Sequence, residues 1–271
     1  MKPPDPAQTG LAALLALGVA GAAWKVGALT ASGAAAAAAV GFAHCGFAGW
    51  PGAAALLAFF VSSTALSRLG RRRKEALGYE KGGQRDAMQV LANGGVAALC
   101  AALAGVSSVD PSPFLVAMLG ALAAANADTW ATEIGSLAKG APRMITTLRP
   151  APTGSSGAVS LPGTLAALTG AAVVAAAALL WPELRAGTVL VAVTLAGLTG
   201  SLLDSLLGAT VQVQYRCRAC GKLTERRSHC EGAETQRARG LPWMNNDAVN
   251  ALATVAGALA AAGVARLFSA G

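Results

Sequence analysis

Charged and aromatic residues are both scarce in this chain. Only 13% of its 271 residues are Asp, Glu, Lys or Arg and only 5% are aromatic, whereas 54% are hydrophobic and the mean hydropathy is +0.53. So little charge excludes an ordinary soluble domain and is typical of a polytopic membrane protein. The basic residues are not interleaved with aromatic ones, which argues against nucleic acid as a partner.

Long apolar runs take the place of the missing charge. A helix needs about 20 apolar residues to cross a bilayer, and eight runs approach that length, although some are short. We therefore predict an all-α, polytopic integral membrane bundle of seven or eight transmembrane helices. Ala and Gly dominate the runs, which lets helix backbones approach closely in lipid. The runs are residues 11–23, 26–45, 53–66, 90–106, 114–125, 161–181, 188–211 and 249–268.

Basic residues are concentrated in three segments. Of the 21 Lys and Arg residues, 17 fall within residues 68–85, 139–149 and 216–239. An even number of predicted helices separates each segment from the next, so all three face the same side, and the positive-inside rule makes that side cytoplasmic. We expect the active face to be cytoplasmic as well. The alternative for most of these basic residues is that they only set the topology of the chain and attract anionic lipid head groups.

Carboxylates occur at or within the later apolar runs. Asp128 and Glu133 follow the run 114–125, and Asp204 lies inside the run 188–211. Ionisable groups at membrane depth are costly and are usually functional. Helical spacing puts Asp128 and Glu133 on different faces, so a helix break or end near Glu133 is needed for both to reach one ion. The alternative is that Asp128 caps a helix and Glu133 is solvated.

Phosphate-binding chemistry is indicated by three further segments. Arg85 and Asn93 share a helical stripe, with a solvated boundary and a helix-to-helix hydrogen bond as the alternatives. A Gly/Ser loop at 153–160 precedes an apolar helix, where backbone N–H groups and the helix N-terminus favour an anion. It lacks the Lys of a Walker P-loop, and an ordinary flexible connection is the alternative. The segment 245–250 adds Asp247 and three amides, which one N-cap does not explain.

The third basic segment carries Cys217-x-x-Cys220 followed by His229-Cys230. Thiols on the cytoplasmic side are expected to be reduced, so this pattern predicts a Zn²⁺ site. The second pair is adjacent instead of spaced, which leaves open whether all four residues bind one ion. A disulfide or redox pair and free cysteines are the alternatives.

Five motifs, in this order, carry a family resemblance. They are Arg-Asp-x-x-Gln-Val-Leu-Ala-Asn-Gly-Gly at 85–95, Asn-Ala-Asp-Thr-Trp-Ala-Thr-Glu-Ile-Gly at 126–135, Thr-Gly-Ser-Ser-Gly-Ala-Val-Ser at 153–160, Asp-Ser-Leu-Leu-Gly-Ala at 204–209 and Asn-Asn-Asp-x-Val-Asn at 245–250. They resemble the integral membrane family known as domain of unknown function ninety-two. That family includes the eukaryotic transmembrane protein nineteen and the phytyl-phosphate kinase of plants and cyanobacteria.

The resemblance implies a membrane kinase that transfers a phosphoryl group from CTP or another nucleoside triphosphate to an isoprenoid monophosphate. Asp128, Glu133 and Asp204 would then hold Mg²⁺, and Asp247 would be a fourth catalytic carboxylate. The nucleotide- and phosphate-binding residues would be Arg85, Asn93, Lys139, Arg143, Arg149, Thr153, Gly154, Ser155, Ser156, Gly157, Asn246 and Asn250. The alternatives are a cytidylyltransferase that forms a CDP-lipid and a lipid or ion-coupled transporter.

The expected organisation is one transmembrane domain spanning residues 1–271. Helices within residues 11–67 carry few polar residues and are expected to be scaffold. Residues 68–265 form the catalytic region that resembles the family, with cytoplasmic loops at 68–88, 136–160 and 213–245.

Overall fold

The chain folds into a bundle of helices with two small sheets at one end. The computed structural model describes residues 6–77, 84–182, 184 and 186–269, so residues 78–83 of the predicted loop 68–88 lie outside it. Within the described residues, the helices are α1 (Pro6–Lys25), α2 (Ala31–Phe47), α3 (Gly49–Leu77), α4 (Ala87–Val106), α5 (Ser112–Leu137), α6 (Leu161–Ala175, continued by a 3₁₀ turn Ala176–Leu180), α7 (Ala186–Thr210) and α8 (Asn246–Ser269).

Seven of the described helices are long and apolar enough to cross a membrane, and α2, at 17 residues, is the shorter eighth. The predicted membrane helical bundle of seven or eight spans is confirmed. The largest difference in bounds is at α5, which continues 12 residues past the apolar run that ends at Ala125. The extension carries Asp128 and Glu133 and ends at Leu137, so the first two residues of the predicted loop 136–160 are helical.

Four helices begin at the same end of the bundle, and each has a polar residue at its start. Thr30, Asp86 and Ser160 accept hydrogen bonds from the first turns of α2, α4 and α6, and the Asn245 side chain does so for α8. Such caps satisfy backbone N–H groups that have no partner within the helix. The positive ends of four helix dipoles therefore lie at this end, where they favour anions.

Helix α5 is the central helix, and its middle is buried on all sides. Its neighbours are α3, α4, α6, α7 and α8. Small residues permit this packing: a Cβ on Gly120 would lie 2.4 Å from the carbonyl oxygen of Gly257 in α8. The Ala/Gly composition therefore does what the sequence predicts and brings helix backbones into contact.

Two loops that the sequence predicts as connections contain β-structure. The α5–α6 connection forms a hairpin of β1 (Arg143–Met144) and β2 (Ala158–Val159). The α7–α8 connection forms an antiparallel sheet of β3 (Gln214–Cys217), β4 (Leu223–Thr224), β5 (Ser228–His229) and β6 (Ala233–Arg239), in the order β4-β3-β6-β5. The side chain of Arg239 donates hydrogen bonds to Gln214 and to backbone carbonyls at the end of α7, which fastens this sheet to the bundle.

Candidate functional site

A cavity of about 630 Å³ opens at the end of the bundle where the capped helices begin. Its volume is within the ~300–1,000 Å³ range of small-molecule sites. We call it the polar cavity, because carboxylates, amides, hydroxyls and guanidinium groups line it. The predicted site residues among its lining are Arg85, Asn93, Asp128, Glu133, Thr153, Gly154, Ser155, Ser156, Gly157, Asp204, Asn246 and Asn250. The structure thus brings together twelve residues that are dispersed along 166 positions of the chain.

Carboxylates from three parts of the chain converge on one wall of the polar cavity. Asp204 of α7 lies close enough to Asp128 and Glu225 for direct charge interaction, and Glu225 interacts in turn with Asp247. The Oδ2 atom of Asp204 is buried and has no hydrogen-bond partner among the described residues. Several carboxylates near one another repel unless a cation or protons neutralise them, so this wall is suited to a divalent cation.

Glu225 is a site residue that the sequence analysis did not identify. Its carboxylate accepts hydrogen bonds from Ser156 Oγ at 2.6 Å and Gln212 Nε2 at 2.9 Å. Burial raises the pKa of the Glu225 carboxyl above its ordinary value, the two hydrogen bonds lower it, and the charge of Asp247 raises it. Glu225 lies in a polar loop without an apolar run or a recognisable motif, so no local signal distinguishes it.

Glu133 also lines the polar cavity, and its charge interacts with that of Arg85. Its Oε1 accepts a hydrogen bond from Ser67 Oγ at 2.6 Å, and its side chain is 2% exposed. Helix α5 runs unbroken from Asp128 through Glu133 and ends at Leu137, one turn later. A helix end near Glu133 is therefore present, but it does not bring Glu133 round to Asp128, and the two carboxylates occupy different positions in the polar cavity.

Arg85 is held from several directions at the start of α4. Its Nη2 donates to Ser63 Oγ at 3.0 Å, and its guanidinium lies 5.9 Å from the ring centres of Phe59 and Phe60. Removal from water lowers the pKa of this guanidinium, and the charge of Glu133 raises it. Arg68 and Arg226 also line the polar cavity. A planar guanidinium fixed in this way matches the geometry of phosphate oxygens.

The Gly/Ser loop is packed against the end of α7. Gly154 and Gly157 have φ angles of 89° and 83°, a region that residues with a Cβ rarely adopt. A Cβ on Gly157 would also lie 2.5 Å from the backbone nitrogen of Ala209. Ser160 ends the loop by capping α6. The loop therefore faces the polar cavity in a defined conformation, with the N-terminus of α6 beside it.

Three predicted phosphate-binding residues lie elsewhere. In the described chain, Lys139, Arg143 and Arg149 are exposed and do not line the polar cavity. Arg143 instead donates to the carbonyl oxygen of Leu148 at 2.7 Å, within the β1–β2 connection. The backbone of Arg143 pairs with that of Val159 in the Gly/Ser loop, but the exposed side chains of the three residues do not reach the polar cavity.

Amides complete the lining. Asn93 donates a hydrogen bond to the carbonyl oxygen of Gln89 at 2.9 Å, while Asn246 and Asn250 line the polar cavity from the first turn and a half of α8. Asp247, between them, is 8% exposed and interacts with Glu225 from behind the lining.

A second, smaller cavity of about 190 Å³ adjoins the first. Its lining comes mainly from α1, α2, α3 and α4, with Thr129 of α5, and it is largely Ala, Gly, Val, Leu, Phe and Trp, so we call it the apolar cavity. Arg85, Gln89, Asn93 and Thr129 line both cavities. The helices predicted to be scaffold therefore form the walls of an apolar space that reaches the polar groups.

The last cluster lies in the four-stranded sheet. It consists of Cys217, Cys220, His229 and Cys230, which we call the Cys/His group. Each residue offers one ligand atom, and these atoms all lie within 4.8 Å of one another. All four predicted residues are thus brought together, although the second pair is adjacent in the sequence.

Comparisons with known proteins agree with this architecture. A family model described as Integral membrane protein DUF92 matches residues 14–258. The chain is 32% identical to Protein PGR of Arabidopsis thaliana over 75% of this chain and 77% of that protein. It is 34% identical to an uncharacterised membrane protein of Methanocaldococcus jannaschii over 63% and 69%, and 27% identical to Protein VTE6, chloroplastic, of Arabidopsis thaliana over 86% and 64%. No solved structure matches the chain. With 245 consecutive positions matched by the family model, the chain belongs to the integral membrane family DUF92.

Proposed function

We propose that this protein is a Mg²⁺-dependent kinase that transfers a phosphoryl group from CTP, or another nucleoside triphosphate, to an isoprenoid monophosphate. The main support for this proposal is that the polar and apolar cavities meet at Arg85. An isoprenoid phosphate has one anionic end and one long apolar end, and the junction offers a guanidinium next to an apolar space of matching character. The resemblance of the five motifs to a family that includes a phytyl-phosphate kinase supports the same substrate class.

Asp128, Asp204 and Glu225 form one wall of the polar cavity, which we call the carboxylate wall. This wall suits Mg²⁺. This ion takes oxygen ligands, usually one or two carboxylates plus substrate phosphates and water. Asp128, Asp204 and Glu225 are the carboxylates that lie together, and the buried Oδ2 of Asp204 is available for a metal bond. Glu133 was predicted as a third ligand, but its hydrogen bond from Ser67 and its charge interaction with Arg85 favour a role in orienting the guanidinium. When bound, Mg²⁺ neutralises charge on the transferred phosphoryl group.

The remaining lining residues suit the phosphates and the nucleotide. Backbone N–H groups of the Gly/Ser loop and the N-termini of α6 and α8 would bind the triphosphate. Arg85 would bind the acceptor phosphate. Arg226 lines the polar cavity next to Glu225 of the carboxylate wall, so it would bind the phosphates of the donor nucleotide. Phosphoryl transfer depends mainly on such positioning and charge stabilisation.

The proposed reaction needs no general base. An oxygen of the isoprenoid monophosphate attacks the γ-phosphorus, a new P–O bond forms, and the bond between the γ-phosphorus and the β–γ bridging oxygen breaks. The nucleoside diphosphate leaves with that bridging oxygen, and the product is the isoprenoid diphosphate. The attacking group is already an anion, so the side chains have to hold and neutralise it instead of removing a proton.

The proposed orientation places the polar cavity on the cytoplasmic side. The described residues of the three basic segments lie at the end of the bundle that contains this cavity, in the last turns of α3 and in the connections that follow α3, α5 and α7, and the positive-inside rule puts that end in the cytoplasm. A nucleoside triphosphate is available there. Labelling of an exposed residue such as Lys139 in sealed inverted vesicles, compared with right-side-out vesicles, tests the orientation.

The decisive experiment uses the full-length protein purified in detergent. It is incubated with each of the four nucleoside triphosphates, with Mg²⁺ and with farnesyl, geranylgeranyl or phytyl monophosphate, and the products are identified by mass spectrometry. We expect the isoprenoid diphosphate and a nucleoside diphosphate in equal amounts. Pyrophosphate with a CDP-lipid would establish a cytidylyltransferase instead. The same protein reconstituted into sealed proteoliposomes tests the third possibility, since substrate movement across that membrane without nucleotide consumption would establish a transporter.

A further inference from the structure

The Cys/His group has the composition and geometry of a structural metal site. Tetrahedral zinc with sulfur and nitrogen bonds of about 2.0–2.3 Å separates neighbouring ligand atoms by roughly 3.5–3.8 Å. The Nδ1 atom of His229 lies 3.1 Å from the sulfur of Cys230 and 3.5 Å from that of Cys220. All four ligand atoms lie within 4.8 Å of one another, so small side-chain rotations would bring them to one ion.

The backbone of the first half of the group has the form of a metal-binding knuckle. Cys217 ends β3, and its N–H donates to the carbonyl oxygen of Lys222 at 2.9 Å. The N–H of Gly221 donates back to the carbonyl oxygen of Cys217 at 2.9 Å, and Gly221 has a φ of 71°. This tight reversal places the side chains of Cys217 and Cys220 on the same side of the turn.

The adjacent pair in the second half is explained by an unusual backbone conformation. Neighbouring side chains on a strand point to opposite faces. Strand β5 ends at His229, and Cys230 and Glu231 then have φ angles of 46° and 58°. Left-handed conformations are costly for residues other than glycine and persist where the surroundings require them. Here they turn Cys230 back so that its sulfur faces the same point as His229.

We propose that the Cys/His group binds one structural Zn²⁺ and that this ion holds Glu225 and Arg226 at the polar cavity. The segment that carries these two residues begins after Cys220 and ends before His229, so the ion would tie both of its ends together. Three thiolates and one imidazole form a common structural zinc set. The metal site itself does not depend on the reaction proposed above.

The contacts of the segment show how the ion's effect would reach the cavity. Thr235 of β6 holds the backbone of Arg226 and Arg227 from one side, through bonds of 3.0 and 3.2 Å. On the other side, Ser156 and Gln212 bind the Glu225 carboxylate. The sheet consists largely of strands two to four residues long, which offer few hydrogen bonds of their own. A metal ion would supply the stability that so small a sheet lacks.

The first test is metal content. We expect about one zinc per chain by plasma mass spectrometry of full-length protein purified in detergent without chelators. Cys220→Ser and His229→Ala should each lower zinc content about tenfold or more, whereas Cys100→Ser, which changes a cysteine in α4, should retain it. Because a variant can fail to fold, wild-type protein is also depleted and reloaded with Co²⁺, whose absorption reports tetrahedral thiolate ligation.

Wild-type protein that contains no zinc and does not bind Co²⁺ would overturn the metal site. A Cys217–Cys220 disulfide in protein prepared under reducing conditions would do the same. The positioning role has its own readout in hydrogen exchange. Removing the metal should accelerate exchange in residues 221–228 about tenfold or more and leave α8 unchanged. Equal exchange with and without metal would contradict that role, and neither measurement requires kinase activity.

Discussion

The polar and apolar cavities share four residues but are built in opposite ways. The apolar cavity is formed mainly by the first four helices, and its lining is largely hydrophobic. The polar cavity draws on α3 to α8 and on all three long connections, and its chemistry comes from side chains far apart in the chain. Simple hydrophobic packing suffices to shape the first, whereas the second needs particular partners for each charged group. A substrate bound across the junction would therefore be specified by chemistry at one end and by shape at the other.

The largest loss of activity is expected from a substitution in the carboxylate wall. Asp204→Asn removes a charge whose partners are Asp128 and Glu225, so Mg²⁺ should bind poorly. We expect kcat to fall by about 1,000-fold or more, as when a group that stabilises transition-state charge is removed. The transfer assay with Mg²⁺ titration measures the effect. Asp110→Asn, an exposed residue before α5, is the control and should leave kcat unchanged, and equal activity of both variants would contradict the role of Asp204.

The junction itself is tested at Arg85. Arg85→Lys keeps a positive charge but removes the planar fork that reaches Ser63 and lies beside Phe59 and Phe60. Misplacing the acceptor phosphate by about 1 Å should lower kcat/KM for isoprenoid phosphates by about 100-fold. The KM for the nucleotide should change much less, because Arg85 is assigned to the acceptor. A selective loss of nucleotide affinity would reverse that assignment.

Substitutions in the apolar cavity should affect substrate binding only through the shape of the cavity. Ala37→Phe in α2 fills part of its lining, so KM for the longest isoprenoid phosphate should rise about tenfold, a size effect typical of apolar pockets. The shortest substrate should be affected least. Ala39→Phe, two residues along at an exposed position, is the matched control. If both variants behave alike for every chain length, the lipid chain binds elsewhere.

The smallest effect is expected at the basic residues outside the polar cavity. Lys139→Ala and Arg149→Ala change exposed residues, so kcat should remain within about threefold of the original value, since exposed charges act mainly through screened long-range attraction. Any change should disappear as salt is raised. If kcat of either variant fell 100-fold at every salt concentration, these residues would belong to the phosphate-binding site.

Much of the fold can be predicted from sequence because hydrophobicity and charge bias are local signals. The span count and the shared face of the basic segments follow from them directly. The helix end near Glu133 could also be predicted, and α5 ends at Leu137, but the five helices that surround α5 could not be identified from these local signals. The small sheets were missed because strands of two to seven residues carry too little pattern to distinguish them from loop.

Local sequence signals suffice to predict a membrane bundle with Asp128, Asp204 and the Gly/Ser loop at one end. The folded structure is needed to know which charges meet: Glu133 lies with Arg85, and Glu225 lies with Asp204. It also decided that His229 and Cys230 can face one point. The physical reason is that burial and helix period depend on neighbours in the chain, whereas charge pairing and ligand geometry depend on contacts between residues that only folding brings together.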